Sequence, residues 1–175
     1  MIGKKMQDEI NKQINAELYS AYLYMSMCAQ FYSMNLKGFA NWMRVQALEE
    51  FTHADKFYKF LVDRGGKVIL EAIQGPPISW KTPLAIFQET YKHEQKVTAL
   101  INNLVDLAIK EKDHAANTFL QWFVNEQVEE EANADEISQQ LRLVGDNGHG
   151  LLMLDRELSL RVFVPPVAGA ANNAA

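Results

Sequence analysis

The sequence predicts an all-α fold: a four-helix bundle with a long crossover loop between its second and third helices and a short fifth helix. Three observations predict it. Four long segments repeat apolar residues in steps of three and four, the period of a helix that buries one face. The connection between the second and third segments is long and broken by Gly75-Pro76-Pro77. Each of the four apolar faces is also interrupted, at a similar depth, by metal-ligand side chains: Glu17, then Glu50 and His53, then Glu94, then Gln127 and Glu130.

The first helix runs from about Lys4 to Ser33, with Ile10, Ile14, Glu17, Ala21, Tyr24, Cys28 and Phe31 on one stripe, and Asn35 follows as a break. The second runs from about Leu36 to Arg64, carries Phe39, Met43, Gln46, Glu50, His53, Phe57 and Phe60, and ends at Gly65-Gly66. Helices of this length are about 40 Å long, and the roughly 18 residues from Gly65 to Thr82 reach about 59 Å when extended. That spans the whole bundle, so the second and third helices can run parallel. Pro83 suits the first turn of the third helix, about Pro83 to Glu111, whose stripe is Leu84, Phe87, Tyr91, Glu94, Val97, Ile101, Leu104 and Ala108. The fourth, about Asp113 to Val144, uses Phe119, Phe123, Gln127, Glu130, Ala134, Ile137, Leu141 and Val144, and the run Gly145 to Gly150 stops it. A fifth helix from about Leu151 to Val162 presents Leu151, Leu154, Leu158 and Val162, a stripe that needs a partner surface on its own bundle or on another subunit. Residues 1–162 form one domain, and the Ala/Gly/Asn-rich 163–175 has too little to bury and reads as a mobile tail.

Glu17, Glu50 and Glu94 each lie about a dozen residues into their helices and Gln127 about fourteen, so all sit near mid-height whichever way each helix runs. Ionised carboxylates taken out of water without partners cost several kcal/mol each, and no basic residue shares these helix faces at this depth. A pair of divalent metal ions satisfies the arrangement. Inward carboxylates with Glu-x-x-His in a helical bundle are the pattern of di-iron and di-manganese proteins. The bland alternative is a structural bundle whose buried acids are satisfied by hydrogen bonds.

Composition narrows the field. The chain has 175 residues, 48% of them hydrophobic, and a formal charge of -5, which speaks against a nucleic-acid surface. Cys28 is the only cysteine, so an intrachain disulfide is excluded and a reducing, cytoplasmic setting fits. The first eight residues lack the apolar run of a signal peptide, and no stretch is long and apolar enough to span a membrane.

Specific stretches carry a resemblance: Glu17-Leu-Tyr-Ser-Ala-Tyr-Leu-Tyr24, Gly38-Phe-Ala-Asn-Trp-Met43, Glu49-Glu-Phe-Thr-His53, His93-Glu94, and Phe119 through Glu131. With these the chain resembles the non-haem ferritins of bacteria and archaea, part of the ferritin-like di-iron family, over about Met6 to Leu160. The resemblance implies a ferroxidase that oxidises Fe(II) with dioxygen or hydrogen peroxide and stores the ferric mineral inside a homo-oligomeric cage of twenty-four subunits. It implies that Glu17, Glu50 and His53 bind one iron, that Glu50 bridges to a second held by Glu94 and Glu130, and that Gln127 lies beside them. Glu49, Glu126 and Glu129, one position off the core-facing ligands, correspond to a third iron site toward the cavity; a solvated acidic face is the alternative. A di-iron redox enzyme that acts on peroxide without storing mineral is the competing function.

Departures from relatives refine these expectations. Thr52 stands where bacterioferritins have their haem-ligating Met, so no haem is expected. Gln127-x-x-Glu130 replaces the second Glu-x-x-His of bacterioferritin, making the two metal positions unequal. Asn117 and Leu120 correspond to the acidic positions of the eukaryotic threefold pore, which predicts a less acidic lining here. Tyr24 and Trp122 are candidate electron donors, with core packing as the alternative. His93, His114 and His149 read as surface residues, and Cys28 as a small apolar side chain.

Overall fold

The computed structural model describes residues 1–165. They form five helices: α1 (Lys4–Ser33), α2 (Lys37–Asp63), α3 (Pro83–Glu111), α4 (His114–Val144) and α5 (Gly148–Leu158). The expected tail lies outside the described residues from position 166 onward. Helix ends follow local chemistry. Thr82 caps α3 by accepting from the Ala85 amide at 3.1 Å. Asp113, expected as the first residue of α4, is its N-cap: it accepts from the Ala116 amide at 3.0 Å and is gripped by both nitrogens of the Arg64 fork at 3.0 Å.

The fifth helix is shifted from its expected span. Asn147 Oδ1 accepts from the amides of His149 and Gly150 at 3.0 and 3.2 Å, so the glycine-rich run becomes the first turn of α5 rather than a connection. At the other end, Asn41 on α2 donates to the carbonyls of Ser159 and Arg161, which draws the chain away from a further helical turn. Val162 therefore leaves the apolar stripe and is exposed.

Two apolar clusters set the topology. One joins Tyr24, Met27, Phe31, Phe39, Met43, Phe87, Leu141, Leu154 and Leu158; the other joins Met6, Ile10, Ile14, Phe57, Leu61, Ile101, Leu104, Leu120 and Phe123. Along α1 and α4 the chain passes from the second cluster to the first, and along α2 and α3 from the first to the second. Hence α1 and α4 run one way and α2 and α3 the other, the parallel α2–α3 arrangement expected from the crossover's reach. Between the clusters lies a layer of buried polar side chains that includes Gln13, Glu17, Gln46, Glu50, His53, Glu94, Gln127 and Glu130.

The crossover is tied to α1 by side-chain amides. Gln7 Oε1 accepts from the Lys67 amide at 2.9 Å, Asn11 exchanges bonds with Lys67 and Ile69 at 3.0 and 2.8 Å, and Asn15 donates to the carbonyls of Glu71 and Ala72 at 3.3 Å. The spacing has a physical basis. Four helical residues rise about 6 Å and two extended residues about 6.6 Å, so amides at i, i+4 and i+8 keep step with alternate residues of an extended strand.

α5 packs on its own bundle, with Leu154 and Leu158 in the first core cluster. Asp155 Oδ1 accepts from the amides of Gly38 and Phe39 at 2.8 and 3.0 Å, capping α2 from outside the helix. This approach requires glycine: a Cβ on residue 38 would lie 1.5 Å from the Asp155 carbonyl oxygen. Gly38→Ala should lower stability by about 1–3 kcal/mol, the usual cost of overpacking. Guanidinium unfolding is the measurement, and an unchanged midpoint would show that α5 is not seated against Gly38.

Candidate metal centre

Each helix delivers its ligands from the polar layer, and a neutral donor fixes each carboxylate. Gln13 Nε2 donates to Glu17 Oε1 at 2.8 Å. Gln46 Nε2 donates to both Glu50 Oε1 at 3.0 Å and Glu130 Oε2 at 2.5 Å. Gln127 Nε2 donates to Glu94 Oε2 at 3.2 Å, and the Tyr24 hydroxyl donates to Glu94 Oε1. Gln13 and Gln46 precede Glu17 and Glu50 by four residues, one turn along the same face. Glutamine four positions before a buried glutamate was the available sequence signal for these positioning roles.

The ligand atoms converge in three groups, each within 4.8 Å: Glu17, Glu50 and His53; Glu50, Glu94 and Glu130; and His53, Glu126 and Glu130. The first two share Glu50. Glu17 Oε2 is buried without a hydrogen-bond partner. An orphaned carboxylate oxygen among other carboxylates is a cation ligand in waiting, and the oxygen-rich donor set with one imidazole suits Fe(II).

Electrostatics says the same. Burial, reinforced by the charge of Glu50, pushes Glu17 and Glu94 from an ordinary 4.5 to about 8, and burial holds Glu130 well above its usual range. Burial alone would raise Glu50 and lower His53, but their mutual contact, 3.4 Å between His53 Nδ1 and Glu50 Oε2, and that of His53 with Glu126 reverse both directions. These directions favour protons on Glu17, Glu94 and Glu130 beside a charged His53, protons that a bound cation would displace.

The other candidates separate. Glu126 is half-buried, its Oε1 3.8 Å from His53 Nε2. Glu49 is half-buried and ion-paired with Arg161, Glu129 is exposed, and neither belongs to the three convergent groups. Trp122 is 40% exposed, lies edge-on to His53 with ring centroids 5.4 Å apart, and carries the Lys56 ammonium over its face at 4.2 Å. Cys28 is buried, and His114 and His149 are exposed.

Two expectations are corrected. His93 is not an ordinary surface residue: its Nε2 is 2.8 Å from Ser20 Oγ, and its ring meets the Tyr24 ring edge-on at 5.9 Å. A position about 100° from a ligand still faces the α1–α3 seam in a closed bundle. Leu120 cannot line a pore, because it is fully buried in the second core cluster. The periodic stripe had placed Phe119 inward, but Phe119 is only partly buried and packs flat on Phe60. Arg161, expected inside the fifth helix, follows its end at Leu158 and reaches the centre through Gln46 and Glu49 of α2, a contact that helical periodicity does not encode.

Residues 7–144, which include every candidate ligand named above, match the family described as the ferritin-like domain. The chain belongs to the ferritin family. This ferritin is 42% identical over 161 residues to the bacterial non-heme ferritin of Bacteroides fragilis, covering 92% of this chain and 100% of that one. It is 38% identical over 159 residues to that of an Escherichia coli O6:H1 strain, covering 91% and 96%. Among solved structures it resembles an engineered closed form of Archaeoglobus fulgidus ferritin, with a TM-score of 0.93, 54% identity and 94% and 100% coverage. It also resembles the open pore ferritin of that archaeon, with a TM-score of 0.92, 54% identity and 93% and 99% coverage.

The protons on the buried acids make a pH prediction. Between an unfolded value of about 4.5 and a native value of about 8, Glu17 and Glu94 bind more protons in the folded state, so the metal-free protein loses stability as pH rises through that window. Glu130 and His53 act in the same sense, and the lowered Glu50, whose contribution is lost as pH falls, opposes them. The unfolding midpoint should therefore drop from pH 5.5 to pH 8 without metal, and Zn(II), a redox-inert stand-in, should recover it at pH 8. A midpoint that climbs across this window without metal would contradict protonated acids.

Proposed function

We propose that this ferritin stores iron by oxidising it: Fe(II) is the substrate, dioxygen or hydrogen peroxide the electron acceptor, and ferric oxo-hydroxide the product, laid down inside a cage of twenty-four chains. The reading rests on one observation, the two three-ligand groups joined by Glu50. A bridging carboxylate brings two Fe(II) ions close enough to deliver electrons as a pair. Each Fe(II) gives one electron, so two ions and two protons convert dioxygen to hydrogen peroxide, and two more convert that peroxide to water. Hydrolysis of the Fe(III) product returns protons to solvent.

The centre is unequal, and the inequality has a use. Glu17, Glu50 and His53 give one ion an imidazole; Glu50, Glu94 and Glu130 give the other carboxylates alone, with Gln127 held back as a donor to Glu94. Ions bound without a rigid nitrogen-rich cage leave more readily after oxidation. Glu126, half-buried beside His53, is the exit step of this scheme, with Glu49 and Glu129 completing a third site toward the cavity. Tyr24, through its hydroxyl on Glu94, is the aromatic assigned to give an electron and its phenolic proton to the oxidised centre.

Membership of the ferritin family over most of the chain favours storage over a di-iron redox enzyme without mineral. No helix among the described residues is long and apolar enough to cross a membrane, and the single buried thiol of Cys28 fits the cytoplasm. Aerobic Fe(II) added to the metal-free protein should give rapid ferric absorbance and many soluble irons per chain, in a particle of roughly 480 kDa built from 19.9 kDa chains. The Glu50→Ala/His53→Ala variant should oxidise at least about tenfold more slowly, given that even outer-shell changes cost this much. Uptake that stops near two irons per chain in a small oligomer would reject storage. A further variant, Tyr24→Phe, should retain iron binding while altering the electron count per dioxygen, measured by oxygen consumption against iron oxidised; an unaltered ratio would remove Tyr24 from the redox scheme.

A further inference from the structure

Arg161 is a fixed cation at the edge of the polar layer. Its Nη2 donates to Gln46 Oε1 at 2.8 Å and to the Glu49 carboxylate, and its Nη1 donates to the Trp42 carbonyl at 3.4 Å. The guanidinium lies 4.2 Å over the Trp42 ring, and Asn41 Nδ2 holds the Arg161 carbonyl at 2.9 Å. Backbone and head are both anchored to α2.

Two consequences follow from those contacts. By occupying Gln46 Oε1, Arg161 orients the Gln46 amide so that its NH2 faces Glu50 and Glu130. By holding Glu49, it places a positive charge where that carboxylate would otherwise meet a metal ion. We infer that Arg161 is a positioning residue that acts as a built-in counter-cation for Glu49, competing with a third metal ion for that carboxylate and yielding it when the ion binds. The inference rests on the iron-centre reading above and adds a device that weakens its third position.

Displacement has a destination. Arg161 lines a groove of 300 Å³ together with Glu136 on α4 and Glu157 on α5, so the guanidinium can leave Glu49 for another carboxylate without facing water alone. Glu49, released, would repel the half-buried Glu126 unless a cation lay between the two carboxylates. A third ion that must first evict a guanidinium binds weakly and passes on, which is what a transit position toward a mineral store requires. A pair of ions bound by Glu17, Glu50, His53, Glu94 and Glu130 meets no such competitor.

The test counts bound ions with Tb(III), a hard, redox-inert probe, titrated into the assembled metal-free protein and followed by luminescence and calorimetry. Wild type should bind two ions tightly and a third more weakly. Arg161→Gln should tighten the third at least about tenfold, the scale expected when a unit charge beside a cation site is removed. Arg161→Met, which keeps an unbranched apolar side chain beside Trp42, should do the same if the glutamine variant fails to assemble. Arg161→Lys, which keeps the charge but not the planar fork, should bind the third ion more weakly than either neutral variant. The gain should vanish in Arg161→Gln/Glu49→Gln. An unchanged third affinity in both neutral variants, or a gain that survives Glu49→Gln, overturns the role of Arg161 while leaving the two-ion centre standing. Fewer than two ions in wild type would overturn the centre itself, and this inference with it.

Discussion

Four glutamates gathered in the dry middle of a bundle repel one another, and that repulsion governs the rest of the structure. Only one imidazole lies among them, so the acids stay apart from each other's charge by keeping protons or by sharing cations. Protonation relieves the repulsion without adding attraction between the helices. The cohesion comes instead from the two apolar clusters, one above and one below the acid layer, each containing aromatic stacks such as Phe31 on Phe39 and Phe57 on Phe123. The glutamines Gln13, Gln46 and Gln127 add neutral donors, which steady the carboxylates without cancelling the charge that attracts iron. A lysine or arginine in their places would satisfy the acids permanently and close the centre to metal.

The four long helices and the burial of the five candidate ligands were legible because each depends on a period, and the crossover because its length matches that of the helices. Residues three and four apart on a helix share a face, and Glu17, Glu50, His53, Glu94 and Glu130 all sit on buried faces. What periodicity could not deliver was anything set by neighbours from other segments. The start of α5 depends on the Asn147 cap, and its end on Asn41 reaching across from α2. His93 is enclosed by Ser20 and Tyr24 of α1, a seam that no single helix predicts. Leu120 shows the limit most plainly: over a long helix the stripe drifts, and an inward position one residue from Phe119 was misplaced by that drift. Glu49 was legible as an acid beside the centre but not as the partner of Arg161, more than a hundred positions away in the chain.

The small fifth helix is more than an appendage on this bundle. Asp155 terminates α2 at its start, Leu154 and Leu158 fill the first cluster, and the segment after Leu158 carries Arg161 back to Gln46. The route from the end of α5 to the candidate ligands is therefore two hydrogen bonds long: guanidinium to the Gln46 amide, and that amide to Glu50 and to Glu130. The acid layer in the middle of the bundle and the seating of its last helix share a hydrogen-bonded connection.

The amide ladder between α1 and the crossover has a consequence for how this sequence can vary. Gln7, Asn11 and Asn15 keep step with Lys67, Ile69 and Glu71 because two lattices of nearly equal repeat are laid side by side. Inserting or deleting one residue between 67 and 71 would turn every later backbone group to the wrong side and leave the remaining amides facing side chains. Past Ala72 the next tie to α1 is the Ser26 bond to the Pro77 carbonyl. Length polymorphism among natural variants of this chain should accordingly gather in residues 73–76, with 67–71 kept at constant length even where its side chains change freely.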